Sequence, residues 1–61
     1  MPIVNIKMLE GRTLKQKKEL VEKVTQAVTE AVSVGPERVY IVIEDMQKQN
    51  FAQAGVLASE R

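Results

Sequence analysis

Met1-Pro2-Ile3-Val4-Asn5-Ile6-Lys7-Met8-Leu9-Glu10-Gly11-Arg12 opens the chain, and its reading decides the rest. Ile3 to Leu9 alternates as a strand does. Val4, Ile6 and Met8 fall on one face, Asn5 and Lys7 on the other, and Ile3 and Leu9 add apolar ends. The same period of two places Pro2 on the face of Val4, Ile6 and Met8. Glu10-Gly11-Arg12 then reads as a turn.

Working outward, Thr13-Leu14-Lys15-Gln16 has the form of a capping box, with Thr13 as N-cap and Gln16 three residues on. The helix it opens is expected to run to about Val32 or Ser33. Leu20, Val21, Val24, Ala27, Val28, Ala31 and Val32 recur at helical spacing and form its apolar stripe. Lys15, Lys18, Glu19, Glu22, Lys23, Gln26 and Glu30 form the polar face. Glu19 lies four residues before Lys23, the favourable orientation for an ion pair. Gly35-Pro36 is expected to stop the helix, with glycine in the C-cap region and proline unable to continue.

Val39-Tyr40-Ile41-Val42-Ile43 is the most apolar run and is rich in β-branched residues. It reads as a central strand buried on both faces. Strand, helix and strand in this order make a β-α-β unit with parallel strands and a right-handed crossover. Met46 to Asn50 reads as polar loop, and Ala52 to Leu57 as a short extended arm or hairpin. The expected fold class is α/β (α+β), one domain over residues 1–61.

Sixty-one residues bury only about 60% of their unfolded surface, which is marginal for a chain on its own. Small folds usually add disulfides, a metal or partner chains. The sequence has no Cys and no His, so disulfides, thiolate metal sites and the commonest metal ligand are excluded. Two strands and one helix also leave sheet edges and a sheet face open. Homo-oligomerisation is therefore expected. The net charge of +1 is no footprint for nucleic acid, and no basic amphipathic membrane helix is present. No apolar run reaches the roughly 20 residues of a membrane span, and no charged segment followed by an apolar one suggests secretion. The expected location is the cytoplasm.

The acid-base inventory is short. Without His or Cys, the candidate bases are Glu, Asp, Lys, Tyr and the terminal amine. Only the amine titrates near neutrality without special burial. If Met1 is removed, the Pro2 ring nitrogen becomes a secondary amine instead of an amide. Apolar surroundings disfavour its protonated form, as a base working near neutral pH needs. Arg12 stands one strand length away. An amine and a guanidinium held by a rigid strand suit proton movement on an anionic substrate. Glu44 and Asp45 are strand neighbours, so their side chains point to opposite faces and a shared-proton pair is not expected. Lys15, Lys17 and Lys18 read as a solvated face that draws anions weakly at most.

The residues quoted so far, in this order, resemble the 4-oxalocrotonate tautomerase family over essentially the whole chain. The resemblance rests on Met1-Pro2-Ile3, the turn Leu9-Glu10-Gly11-Arg12, and Gln16-Lys17 at the helix start. It continues through a second strand ending in Glu44-Asp45-Met46, then Phe51 and Leu57-Ala58-Ser59. It implies a β-α-β subunit in a hexamer built as a trimer of dimers. It implies a tautomerase acting on small 2-hydroxydienoate or enolpyruvate-type carboxylates, with no metal and no organic cofactor. By the same resemblance Pro2 is the base that carries the proton, Arg12 holds a substrate carboxylate and Phe51 lines an apolar pocket.

One position departs from the pattern. The family places a second arginine inside the second strand, and Tyr40 stands there. Arg38 lies two residues earlier, on the same face only if the strand already runs there. Tyr40 donates a hydrogen bond but lacks the bidentate, charge-assisted grip of guanidinium. Weaker action on a dicarboxylate and a preference for monocarboxylates are expected. Other readings stay open: Tyr40 as strand or interface packing, Phe51 as interface packing, and Arg12 as a solvated turn cation. At the level of the whole chain, the alternatives are a non-enzymatic oligomeric module, and a hydratase or dehalogenase on the same proline scaffold.

Overall fold

The computed structural model describes all residues, Met1–Arg61. The first strand, β1, spans Ile3–Leu9, and its exposure alternates as the sequence pattern requires. Val4, Ile6 and Met8 are half-buried, while Ile3, Asn5 and Lys7 are exposed. Gly11 has φ +118°, a conformation L side chains rarely adopt, and it lets the chain reverse between β1 and the helix.

The helix α1 spans Leu14–Val32 and begins with the capping box. The Gln16 N–H donates to Thr13 Oγ1 at 3.1 Å, and the Thr13 N–H donates to Gln16 Oε1 at 2.9 Å. Both bonds satisfy donors that the first turn of a helix otherwise leaves free. Its end differs from expectation. Ser33, with φ 56° and ψ 48°, is the left-handed C-cap, whereas Gly35 lies in the extended region at φ −75°. The space beside Gly35 is taken only by the mobile carboxylate end of the exposed Glu37 side chain, which a Cβ would displace at little cost. Leu20, Val21, Val24 and Val28 are half-buried, but Ala27, Ala31 and Val32 stay exposed. The apolar stripe of α1 is wider than a two-stranded sheet covers.

The second strand, β2, spans Tyr40–Met46, so it starts one residue later and ends three residues later than the apolar run suggested. A turn of 3-10 helix, Pro36–Arg38, occupies the approach to it. β1 and β2 pair in parallel from Ile3 opposite Tyr40 to Leu9 opposite Met46. The ladder extends through Glu44 and Asp45 because every residue of β1 finds a partner there. Glu44 and Asp45 do fall on opposite faces. Asp45 turns to the helix side, where Lys17 Nζ of α1 donates to its Oδ2, while Glu44 stands beside Lys7 on the open face. Burial of β2 on both faces does not occur within one protomer. Tyr40 and Val42 are each 50% exposed, because α1 covers one side of the sheet and nothing in the chain covers the other.

Beyond β2, Lys48–Asn50 forms a second 3-10 turn where polar loop was expected. Ala52–Gln53 (β3) and Val56–Leu57 (β4) then form a two-residue antiparallel hairpin. Its central residues, Ala54 at φ 54° and Gly55 at φ 79°, both have positive φ, the requirement of a type I′ turn. No helix is long and apolar enough to cross a membrane.

No residue of the protomer is fully buried. Its surface of 4852 Å² exceeds by about a fifth the ~4,000 Å² of a compact monomer of this mass. The radius of gyration is 14.4 Å, against about 10.5 Å for a compact domain of this length. The molecule is a flat slab of 42 × 23 × 13 Å.

Candidate active site

Because β1 and β2 are parallel, both begin at one end of the slab and both finish at the other. The five candidate residues divide between these ends. At the starting end, the Tyr40 N–H donates to the Pro2 carbonyl at 3.0 Å, extending the ladder by one residue. Pro2 is half-buried, and Met1 before it is 75% exposed. Tyr40 shares the open face with Ile3. By strand alternation the Pro2 ring belongs to the opposite, helix-covered side. Arg38 is exposed in the 3-10 turn that precedes β2. The condition that would have put it on Tyr40's face fails, since strand alternation does not hold through a helical turn.

At the finishing end, Arg12 is exposed just past the turn after β1. It lines a shallow cavity of about 200 Å³ with Met8, Gln16, Lys17 and Leu20. Phe51 is half-buried after β2, where its carbonyl accepts from the Ala58 N–H at 2.8 Å and ties down the C-terminal hairpin.

The strand therefore does the reverse of what the opening stretch suggested. It has seven residues, so Pro2 and Arg12 stand roughly 25 Å apart at ~3.3 Å per residue. Pro2 and Tyr40 are brought together within one protomer, but Pro2 and Arg12, or Pro2 and Phe51, are not. A pocket that holds both the imino nitrogen and the Arg12 guanidinium has to be composed from more than one protomer.

The arginine-bearing turn is held by bonds that the sequence did not announce. The Glu10 N–H donates to the Met46 carbonyl at 2.8 Å, and Glu10 Oε2 accepts from the Lys48 N–H at 3.2 Å. The Lys17–Asp45 ion pair braces the helix start against the end of β2. These partners are 28 to 38 residues apart, so no local pattern links them. A cavity of about 460 Å³ along Val21, Thr25, Thr29 and Pro36 carries one ionisable group, Glu22, and none of the five candidate residues.

The fold is that of a small tautomerase. The family described as "Tautomerase enzyme" matches residues 2–61, and the chain belongs to that family. It is 50% identical over 60 residues to the 2-hydroxymuconate tautomerase of Bacillus subtilis, covering 98% of this chain and 97% of the relative. Among solved structures it is similar to YwhB, a homologue of 4-oxalocrotonate tautomerase, with a TM-score of 0.94 and 48% identity over 98% of each chain. It is also similar to a chain of the heterohexamer 4-oxalocrotonate tautomerase of Chloroflexus aurantiacus. There the TM-score is 0.93, with 30% identity over 98% of this chain and 97% of that one.

Proposed function

We propose that this protein is a cofactor-independent isomerase that moves a proton between the enol and keto forms of a small unsaturated 2-hydroxy or 2-oxo acid. Removal of Met1 frees Pro2, whose nitrogen takes the enol proton and returns it to a distant carbon. Arg12 holds a substrate carboxylate, Phe51 supplies an apolar wall, and Tyr40 contributes a neutral donor with Arg38 close by in sequence. No metal, nucleic acid or membrane takes part, and the enzyme works in the cytoplasm.

The observation that carries this reading is the half-buried Pro2 at the head of a strand, in a chain with no His or Cys to serve as base. With Met1 attached, that nitrogen is an amide and has no basicity. Once freed, it is the one amine whose intrinsic pKa lies near neutrality, and its ring allows no rotation about φ. Membership of the tautomerase family and the likeness to a 2-hydroxymuconate tautomerase support the reaction class. The separation of Pro2 from Arg12 supports an assembled site, with the amine of one protomer meeting the guanidinium of another. A homo-hexamer arranged as a trimer of dimers meets this requirement, and the likeness to a heterohexamer chain is consistent with six subunits.

The test is ketonisation of enol acids followed by ultraviolet absorbance, on protein whose intact mass shows Met1 removed. Pro2→Ala is expected to lower kcat/KM by roughly 10²–10⁴, the usual contribution of a positioned base. Arg12→Ala is expected to raise KM about 10- to 100-fold, the equivalent of one lost charge-assisted contact of ~1.5–3 kcal/mol. Unchanged rates in both variants would eliminate the enzyme in favour of a non-enzymatic module.

A further inference from the structure

Glu10 is bonded twice, and both bonds reach the same distant segment. Its N–H donates to the Met46 carbonyl at 2.8 Å, and its Oε2 accepts from the Lys48 N–H at 3.2 Å, 38 residues along the chain. The second bond meets a need that the local sequence leaves open. Lys48 begins the 3-10 turn Lys48–Asn50, and an N–H at the start of a helical turn has no partner inside it. Gln47, the residue before, supplies no side-chain cap. The acceptor comes from Glu10 instead.

What stands on either side of this bond gives it significance. Arg12 lies two residues beyond Glu10, and Phe51 follows directly on the Lys48–Asn50 turn. Gly11, between Glu10 and Arg12, has φ +118° and open space around it, so it adds no packing restraint of its own. Of the side-chain hydrogen bonds in the protomer, Glu10–Lys48 is the one that ties the segment 10–12 to the segment 47–51.

We propose that Glu10 is a positioning residue for the isomerase reaction, fixing the Arg12 guanidinium relative to the Phe51 ring. The assignment rests on the roles proposed above for those two residues. One protomer then presents a carboxylate grip and an apolar wall as a single unit, and Glu10 itself touches no substrate. A carboxylate that accepts from a backbone N–H makes a charge-assisted bond, stronger and more directional than a neutral one. Orientation is what such a brace contributes, since a misplacement of about 1 Å can cost roughly 10² in rate.

Glu10→Ala deletes the acceptor, whereas Glu10→Gln keeps a carbonyl oxygen at the same reach. In the ketonisation assay Glu10→Ala should raise KM about 10-fold with kcat within about two-fold of the parent, the equivalent of one hydrogen bond to a charged group at the weak end of its range. Glu10→Gln should return KM to within about three-fold of the parent, as a neutral acceptor in the same place allows. In an Arg12→Ala background, Glu10→Ala should change KM by less than about two-fold, because relative placement counts only while both contacts exist. A chain that is merely less well folded loses kcat at constant KM. That result, or Glu10→Gln as impaired as Glu10→Ala, or full additivity with Arg12→Ala, overturns the proposal.

Amide NMR reads the brace without turnover. The Lys48 N–H should lose protection from exchange in Glu10→Ala and keep it in Glu10→Gln, with the Arg12 and Phe51 amide signals displaced only in the alanine variant. Undisplaced Arg12 and Phe51 signals in Glu10→Ala also overturn the proposal. If Arg12→Ala alone turns over like the parent, the role given to Arg12 fails, and these signals still decide whether Glu10 sets the placement.

Discussion

Tyr40 is the residue on which substrate choice turns in the proposed site. It is half exposed at the head of β2, where its N–H donates to the Pro2 carbonyl, and the proposal gives it the place of a second guanidinium. Tyr40→Arg is therefore expected to raise kcat/KM for a dicarboxylate such as 2-hydroxymuconate by roughly 10²–10³, the scale of one oxyanion donor. A monocarboxylate enol should change far less. Comparison of the two substrates on the two proteins checks this, and equal gains on both would refute the assigned role. Gly11 is a second decisive residue. Its φ of +118° costs an L side chain about 1–3 kcal/mol, while open space surrounds the missing Cβ. Gly11→Ala should thus act through the backbone alone, lowering Tm and displacing Arg12. The expected signature is a raised KM with kcat little changed, whereas a lowered kcat at constant KM would contradict it.

At the scale of elements, α1 owes its start to two reciprocal bonds between Thr13 and Gln16. Thr13→Ala removes one acceptor and should cost ~1 kcal/mol, or about 4–8 °C in Tm for a chain of this size. Circular dichroism melts check it, and an unchanged midpoint would mean the cap contributes nothing in the assembled protein. The capping box, the bounds of β1 and the helix span were legible because each is a pattern within a few residues. The C-cap was misplaced because glycine is the usual left-handed cap, whereas Ser33 takes that conformation here and Gly35 is extended. The apolar run alone stops short of the end of β2, which the family resemblance places at Glu44-Asp45-Met46, because Glu44 and Asp45 are polar. Pairing with Lys7 and Met8 keeps them in the strand, and an apolar run does not report pairing. The braces of the Arg12 turn were not legible, since Glu10–Lys48 and Lys17–Asp45 join distant segments.

At the scale of the whole molecule, a slab with no fully buried residue has little stability as a separate chain. Folding and association are then coupled, and the unfolding midpoint depends on protein concentration. Each tenfold rise in concentration is expected to raise Tm by a few degrees, measured by calorimetry across two decades. A midpoint independent of concentration, in protein shown to be monomeric, would contradict the coupling.

By itself the sequence determined the order and type of β1, α1 and β2, the cap that starts α1, the absence of His and Cys, and the presence of Pro2, Arg12, Phe51 and Tyr40. These follow from periods of two and 3.6 residues and from side-chain chemistry, which are local properties. Only the tertiary structure decided that Pro2 and Tyr40 lie at one end of the sheet and Arg12 and Phe51 at the other. That outcome depends on the two strands being parallel and seven residues long, so the same rigid backbone that fixes each group also keeps them apart. Chemistry that needs both ends is thereby handed from the single chain to the assembly.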